Sequence, residues 1–153
     1  LFLTFFIMAP TFTNIYELVA IPYMNGEIQT PDALDKASKE IKSFMVTNTR
    51  ETDLSMFAEI SGAQQFYSKE EIPFSIALPA FITSELKTAF QIGFLLFLPF
   101  LVIDMVVASV LMSLGMMMLS PMLIALPFKI LLFVLVDGWS MTVGSLVSTY
   151  IVQ

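Results

Sequence analysis

Between Asp104 and Lys129 lie 24 residues, Met105–Phe128, that carry no charge. A run of about 18 or more apolar residues reads as a membrane-crossing candidate, but this one is interrupted at its centre by Gly115-Met116-Met117-Met118 and then Ser120-Pro121. Glycine and the Ser-Pro step are turn signals. The pattern predicts two apolar helices joined by a methionine-rich turn, with an acid bounding one arm and a base the other.

Chain position sets the depth of those two charges. Asp104 stands twelve residues before Met116 and Lys129 eleven after Met118, so at 1.5 Å per helical residue both lie roughly 17 Å from the tip. Opposite charges at matched depth are a natural pair. A lone Asp or Lys at the centre of an inserted helix costs about 2.5–3.5 kcal/mol and ordinarily faces a bundle interior or an aqueous cavity. Lys129 also falls in the first turn after Pro127, where the positive end of the helix dipole disfavours a cation and increases the need for a carboxylate. Neither face of the hairpin is therefore expected to be bathed simply in lipid.

Composition agrees with a membrane-associated class. Of 153 residues 57% are hydrophobic and 13% charged, and the mean hydropathy is +0.83, unlike an ordinary soluble domain. The net charge of −6 offers no basic surface for nucleic acid and little attraction to anionic lipid heads. There is no Cys and no His, so disulfides, the usual zinc sites and His-based nucleophilic triads have no parts. The reading is a protein without enzyme chemistry, cofactor or metal.

Before the hairpin, three stretches differ in character. Leu1–Met8 is an apolar end too short to span alone, and Thr11–Gly26, with Pro22 and Asn25-Gly26, reads as a connector. The polar middle follows. Thr30-Pro31-Asp32 predicts a helix start with Thr30 as cap, after which Leu34, Ala37, Ile41, Phe44 and Met45 recur at helical spacing. A shorter helix from Thr52 or Asp53 carries Leu54, Phe57 and Ile60 inward and stops at Gly62, with 64–72 as a loop. The charges of both are read as solvated faces. Pro73 and Pro79 bracket FSIAL, which reads as extended, with Pro79 opening the next helix. Glu85 and Lys87 come early in that helix; two residues apart, they cannot face each other and each needs water or a separate partner. Gly93 and Pro99 predict a bend. The segments are thus 1–24, an apolar helix end and connector; 25–72, a polar helical insert; and 73–153, an apolar hairpin core.

Two features allow more than one reading. Met116, Met117 and Met118 are either plain packing in a buried turn or flexible, polarizable side chains that fill a constriction. Asp137, ahead of Gly138-Trp139, either caps or breaks the last apolar helix or enters an intersubunit ion pair.

The runs LPAFITSELKTAFQIGFLLFLPFLVIDMVVASVLMSLGMMM and ALPFKILLFVLVDGWSMTVGSL resemble the two most characteristic blocks of the FliP family, the flagellar member of the SctR class of type III secretion export-gate proteins. The resemblance extends more weakly through the polar middle into LFLTFFIMAP. The family's signal sequence and first hydrophobic helix have no counterpart ahead of Leu1, so the chain is expected to be part of a longer protein.

What the resemblance implies is an all-α, oligomeric, membrane-associated fold of helical hairpins with a small polar insert. Several copies, five by that likeness, would assemble with FliQ- and FliR-type subunits into an export gate for unfolded flagellar proteins. That gate would belong to the bacterial inner membrane and flagellar basal body, with the polar insert on the periplasmic side. The family's methionine gasket maps onto Met116, Met117 and Met118, and Asp104, Lys129, Glu85, Lys87 and Asp137 become structural or intersubunit ion-pair residues. Two other readings stay open. A small secondary transporter would line a substrate pocket with Asp104 and Lys129. A copper(I) channel would use the thioethers of Met112/Met116 and Met118/Met122, each pair four residues apart.

Overall fold

The computed structural model describes residues 1–62, 68 and 71–150. Among these, every regular element is helical: α1 (Phe2–Ile15), a π turn (Tyr16–Ala20), α2 (Ile21–Met24), α3 (Thr30–Thr47), α4 (Glu51–Ile60), α5 (Phe74–Ser113), α6 (Pro121–Leu135) and α7 (Gly138–Val147). The chain forms two compact units, residues 1–87 with 149–153, and residues 88–148.

In the first unit the N-terminal apolar run is longer than composition implies. Thr11–Met24 is helical rather than a connector, so Phe2–Met24 is 23 residues of continuous helix, long and apolar enough to cross a membrane. Pro22 explains the π turn inside it. A proline ring clashes with the carbonyl four residues back, and widening the preceding turn relieves that clash; the Ile21 N–H reaches the Tyr16 carbonyl, five residues back. α3 packs on α1 and the π turn, burying Val19 and Ala33.

α3 begins one residue earlier than its sequence predicts. Thr30 is already helical, Gln29 takes the cap position without a side-chain hydrogen bond, and Pro31 sits in the first turn, where its missing N–H costs nothing. The apolar stripe is displaced as well: Met45 and Val46 are buried while Leu34 and Ile41 are exposed. Met45 and Val46 form a core with Ile72, Ile76 and Ala77, flanked by Phe44, Leu54, Phe57 and Phe81. Ile60, expected inside, is exposed at the end of α4. The expected loop 64–72 lies largely outside the described residues.

FSIAL is not extended. α5 starts at Phe74, the Ile76 and Ala77 N–H groups both donate to the Pro73 carbonyl, and Pro79 lies inside the helix. Burial decides this. Ile76, Ala80 and Ser84 recur every four residues, are buried, and form one face of α5; burying a side chain such as Ile76 is worth roughly 1.5–3 kcal/mol, against a proline penalty reduced near a helix start.

In the second unit α5 continues unbroken through Gly93 and Pro99 to Ser113, 40 residues in all. α6 returns alongside it. The side-chain contacts Phe100–Phe133 and Asp104–Lys129 run in opposite order along the two helices, which makes the pair antiparallel. α7 follows α6 at a bend of 63°. By length and composition Phe2–Met24 and α5 qualify as membrane-crossing helices, and the bent α6–α7 pair qualifies as a broken third span.

Candidate functional site

The end of α5 is closed mainly by backbone hydrogen bonds, with the Ser113 hydroxyl donating to the Val110 carbonyl. The Gly115 N–H donates to the Met112 carbonyl and the Met116 N–H to the Leu111 carbonyl, with Gly115 at φ +74°. These two bonds are the glycine stop that satisfies the last carbonyls of a helix. The carbonyls are capped, and the side chains that follow have no part in it. Met116, Met117 and Met118 are 47%, 80% and 100% exposed.

One helix stretch below, Lys129 Nζ donates to Asp104 Oδ2 at 2.6 Å. The side chains are 22% and 27% exposed, so the pair is screened from water on most sides and its countercharge comes from the same chain. Asp104 Oδ1 is buried with no hydrogen-bond partner among the described residues. A buried carboxylate oxygen without a donor is costly, and this is the least satisfied atom of the hairpin arms.

Glu85 and Lys87 have separate partners, both in the first unit. Lys87 Nζ forms an ion pair with Asp53 Oδ1, and Glu85 Oε2 accepts from the Tyr150 hydroxyl. Asp53 is in the first turn of α4, where an acid suits the helix dipole, yet it is 1% exposed. Beside it the Arg50 N–H, at the cap position of α4, donates to Ser84 Oγ, so the start of α4 is fastened to the Ile76–Ser84 face of α5 by two polar contacts. The Tyr150 ring stacks on Phe44 at 6.2 Å and 10°, and Phe44 meets Phe81 edge-on at 6.1 Å. Burial, with the hydrogen bond to Glu85 and its negative charge, pushes the Tyr150 phenol up to about 12 from 10.0.

Asp53 and Tyr150 were not among the residues singled out by sequence. A signal existed for the first. Asp53 is four residues from Phe57, hence on the inward face of α4 rather than the solvated one.

Asp137 takes no part in an ion pair among the described residues and its side chain makes no capping bond. Its backbone is what matters. At φ 50° and ψ 53° it ends α6 in the left-handed conformation, with its N–H on the Val134 carbonyl, a state that Asp tolerates better than most residues. Gly138 then sits beneath Phe133, whose ring atoms would lie 2.4 Å from any Cβ there.

The geometry bears on the other readings. Met112 is in α5, Met116 and Met118 are in the turn and Met122 is in α6, so neither four-residue pair lies within one helix. A cavity of about 300 Å³ is lined by Phe97, Phe100, Lys129, Ile130 and Phe133; its wall is apolar apart from Lys129, and Asp104 is not on it. No cluster of three or more acidic, His or Cys residues that could hold a metal occurs among the described residues.

The sequence model of the FliP family matches residues 1–146. The flagellar biosynthetic protein FliP of Cereibacter sphaeroides is 61% identical over 150 residues, which make up 98% of this chain and 50% of that relative. Its counterpart in Bacillus subtilis (strain 168) is 56% identical over 98% of this chain and 68% of its own length. That of Aquifex aeolicus (strain VF5) is 48% identical over 98% of this chain and 64% of its own length. The chain thus spans from about two fifths to two thirds of the length of the curated relatives it matches.

Proposed function

We propose, since this chain belongs to the FliP family, that it is a subunit of the flagellar protein-export gate and supplies the side chains that close the gate's pore. Several copies, five in this reading, surround a common axis together with FliQ- and FliR-type subunits. Unfolded flagellar proteins pass along that axis. The gate sits in the bacterial inner membrane and flagellar basal body, with the polar insert of α3 and α4 on the periplasmic side.

The observation that carries this reading is the methionine turn. Three consecutive, exposed thioether side chains stand directly after a helix end whose Leu111 and Met112 carbonyls are already met by backbone N–H groups. Non-helical backbone at membrane depth is tolerated where it is enclosed by protein or lines a cavity, and a ring of such turns would meet both conditions. Met is flexible enough to fill a narrow opening and to yield to side chains of varied shape. The internally paired charges of the arms support the same reading, since an arm with its own countercharge can be packed among apolar neighbours at lower cost. Replacement of Met116, Met117 and Met118 together by Ala leaves the gate assembled but lets the closed pore pass small solutes. Solute-efflux measurement on cells carrying the assembled variant is the test, and an unchanged seal would overturn the proposal.

A further inference from the structure

We infer that Phe133, seated over Gly138, is a positioning residue that sets the register at which α6 presents Lys129 to Asp104. The inference rests on the geometry of the second unit and is independent of the export reading.

Two contacts tie α5 to α6, one polar and one aromatic. Asp104 meets Lys129, and Phe100 meets Phe133 with ring centroids 6.4 Å apart. Phe100 precedes Asp104 by four residues and Phe133 follows Lys129 by four, so the aromatic contact stands one turn from the ion pair on both helices. The aromatic contact has the tighter mounting. A flexible Lys side chain meets its partner over a range of helix positions, whereas a ring held on several sides does not. Trp139 stands edge-on to Phe133 at 5.3 Å and 85°, and Gly138 lies under it so closely that a Cβ would fall 2.4 Å from Cδ2 and Cε2 and 2.8 Å from Cγ.

That mounting depends on the corner between α6 and α7. In an uninterrupted helix, residues five apart point about 140° away from each other, and Gly138 would not lie beneath Phe133. The left-handed backbone of Asp137 turns the chain so that it does. A methyl group at position 138 has two ways to be accommodated. Phe133 tilts off its seat, toward or away from Phe100, or the corner opens; either moves the α5–α6 register.

The test uses the absence of cysteine among these 153 residues, with any cysteine elsewhere in the protein first replaced by Ser. Cysteines placed at Asp104 and Lys129 in the full-length protein, joined by a short bifunctional thiol reagent, report the register without help from the ion pair. Cysteines at Asp53 and Lys87 serve as a control in the first unit. Gly138→Ala is expected to lower cross-linking of the 104/129 pair several-fold while the 53/87 pair keeps its yield. Phe133→Leu alone, which removes the ring that holds the register, is expected to lower the 104/129 yield as well, and adding Gly138→Ala to it is expected to lower it no further, because the ring that the methyl strikes is gone. Asp137→Gly, which keeps the left-handed corner, is expected to leave it unchanged. An unaltered 104/129 yield in Gly138→Ala would overturn the inference. So would an equal fall in both pairs, which would mean general unfolding, and so would an unaltered 104/129 yield in Phe133→Leu.

Discussion

Asp53 and Lys87 form an ion pair whose two ends live in different surroundings: the aspartate side chain is 2% exposed, while the lysine side chain is 49% exposed. Removing either partner therefore has unequal consequences. Lys87→Met leaves a buried carboxylate without its countercharge, and removal of one partner from a buried pair costs about 3–5 kcal/mol. Asp53→Leu leaves an ammonium that can turn into water and costs about 1 kcal/mol. Chemical denaturation of the two single variants and the double variant measures the asymmetry, with the double variant expected to lie close to the wild type.

Charge reversal tests the deeper pair. Asp104→Lys places two ammonium groups where one carboxylate and one ammonium now stand 2.6 Å apart, and like charges in a poorly solvated site repel strongly. Assembly of the protein, followed by co-purification of differently tagged copies, is expected to fall. Combining Asp104→Lys with Lys129→Asp is expected to restore part of it, because the pair is re-formed with its ends exchanged. Absence of any recovery would show that direct pairing is not what the two residues contribute.

Tyr150 gives a spectroscopic handle on the first unit. Its folded pKa lies above the unfolded one, so the neutral phenol is the form that folding favours. Its contribution to stability is complete below pH 10.0 and is lost as pH rises from there through about 12. Difference titration of tyrosinate absorbance between the wild type and Tyr150→Phe isolates this group from the other three tyrosines. Burial is the largest single cause, and Glu85 adds both a hydrogen bond and its charge. Glu85→Gln is therefore expected to bring the midpoint only part of the way back.

Gly115 and Asp137, both left-handed, respond oppositely to substitution. Gly115→Ala puts a Cβ into a left-handed position and costs about 1–2 kcal/mol, with the loss felt at the α5 end. Asp137→Gly relieves the corresponding strain and is expected to raise stability by up to about 1 kcal/mol. Thermal unfolding of the two variants in the same detergent compares them directly.

How much of this was legible in the sequence depended on whether local rules governed it. Asp104 and Lys129 were set at matched depth by counting, because a helix has a fixed rise and both arms are helical. The methionine turn announced itself through Gly115 and Pro121. Other features were hidden because tertiary contacts decided them. FSIAL looked extended between two prolines, yet Ile76, Ala77 and Ala80 are buried, and that burial outweighs the cost of Pro79. Asp53 looked like one more solvated acid of the insert. Its partner is 34 residues away, and nothing in either stretch names the other. The π turn was equally hidden, since Pro22 in the sequence signals a break just as well as a widened helix. The inward stripe of α3 was misplaced for a simpler reason. Leu34 and Ile41 fit the helical period, but the period does not say which part of an apolar stripe will find a neighbour.

The stop at Gly115 carries a consequence for how such a tip can change over time. Because the bend is closed by groups that precede them, the main chain of Gly115 and Met116 and the Ser113 hydroxyl, the three bristles beyond it answer to no architectural demand from the shafts that bear them. Their chemistry is free to drift, or to be redesigned, like the teeth of a comb whose spine is left untouched. Length, flexibility and polarity at positions 116–118 can then be tuned to whatever must press against them, one side chain at a time, without refolding the protein around the change.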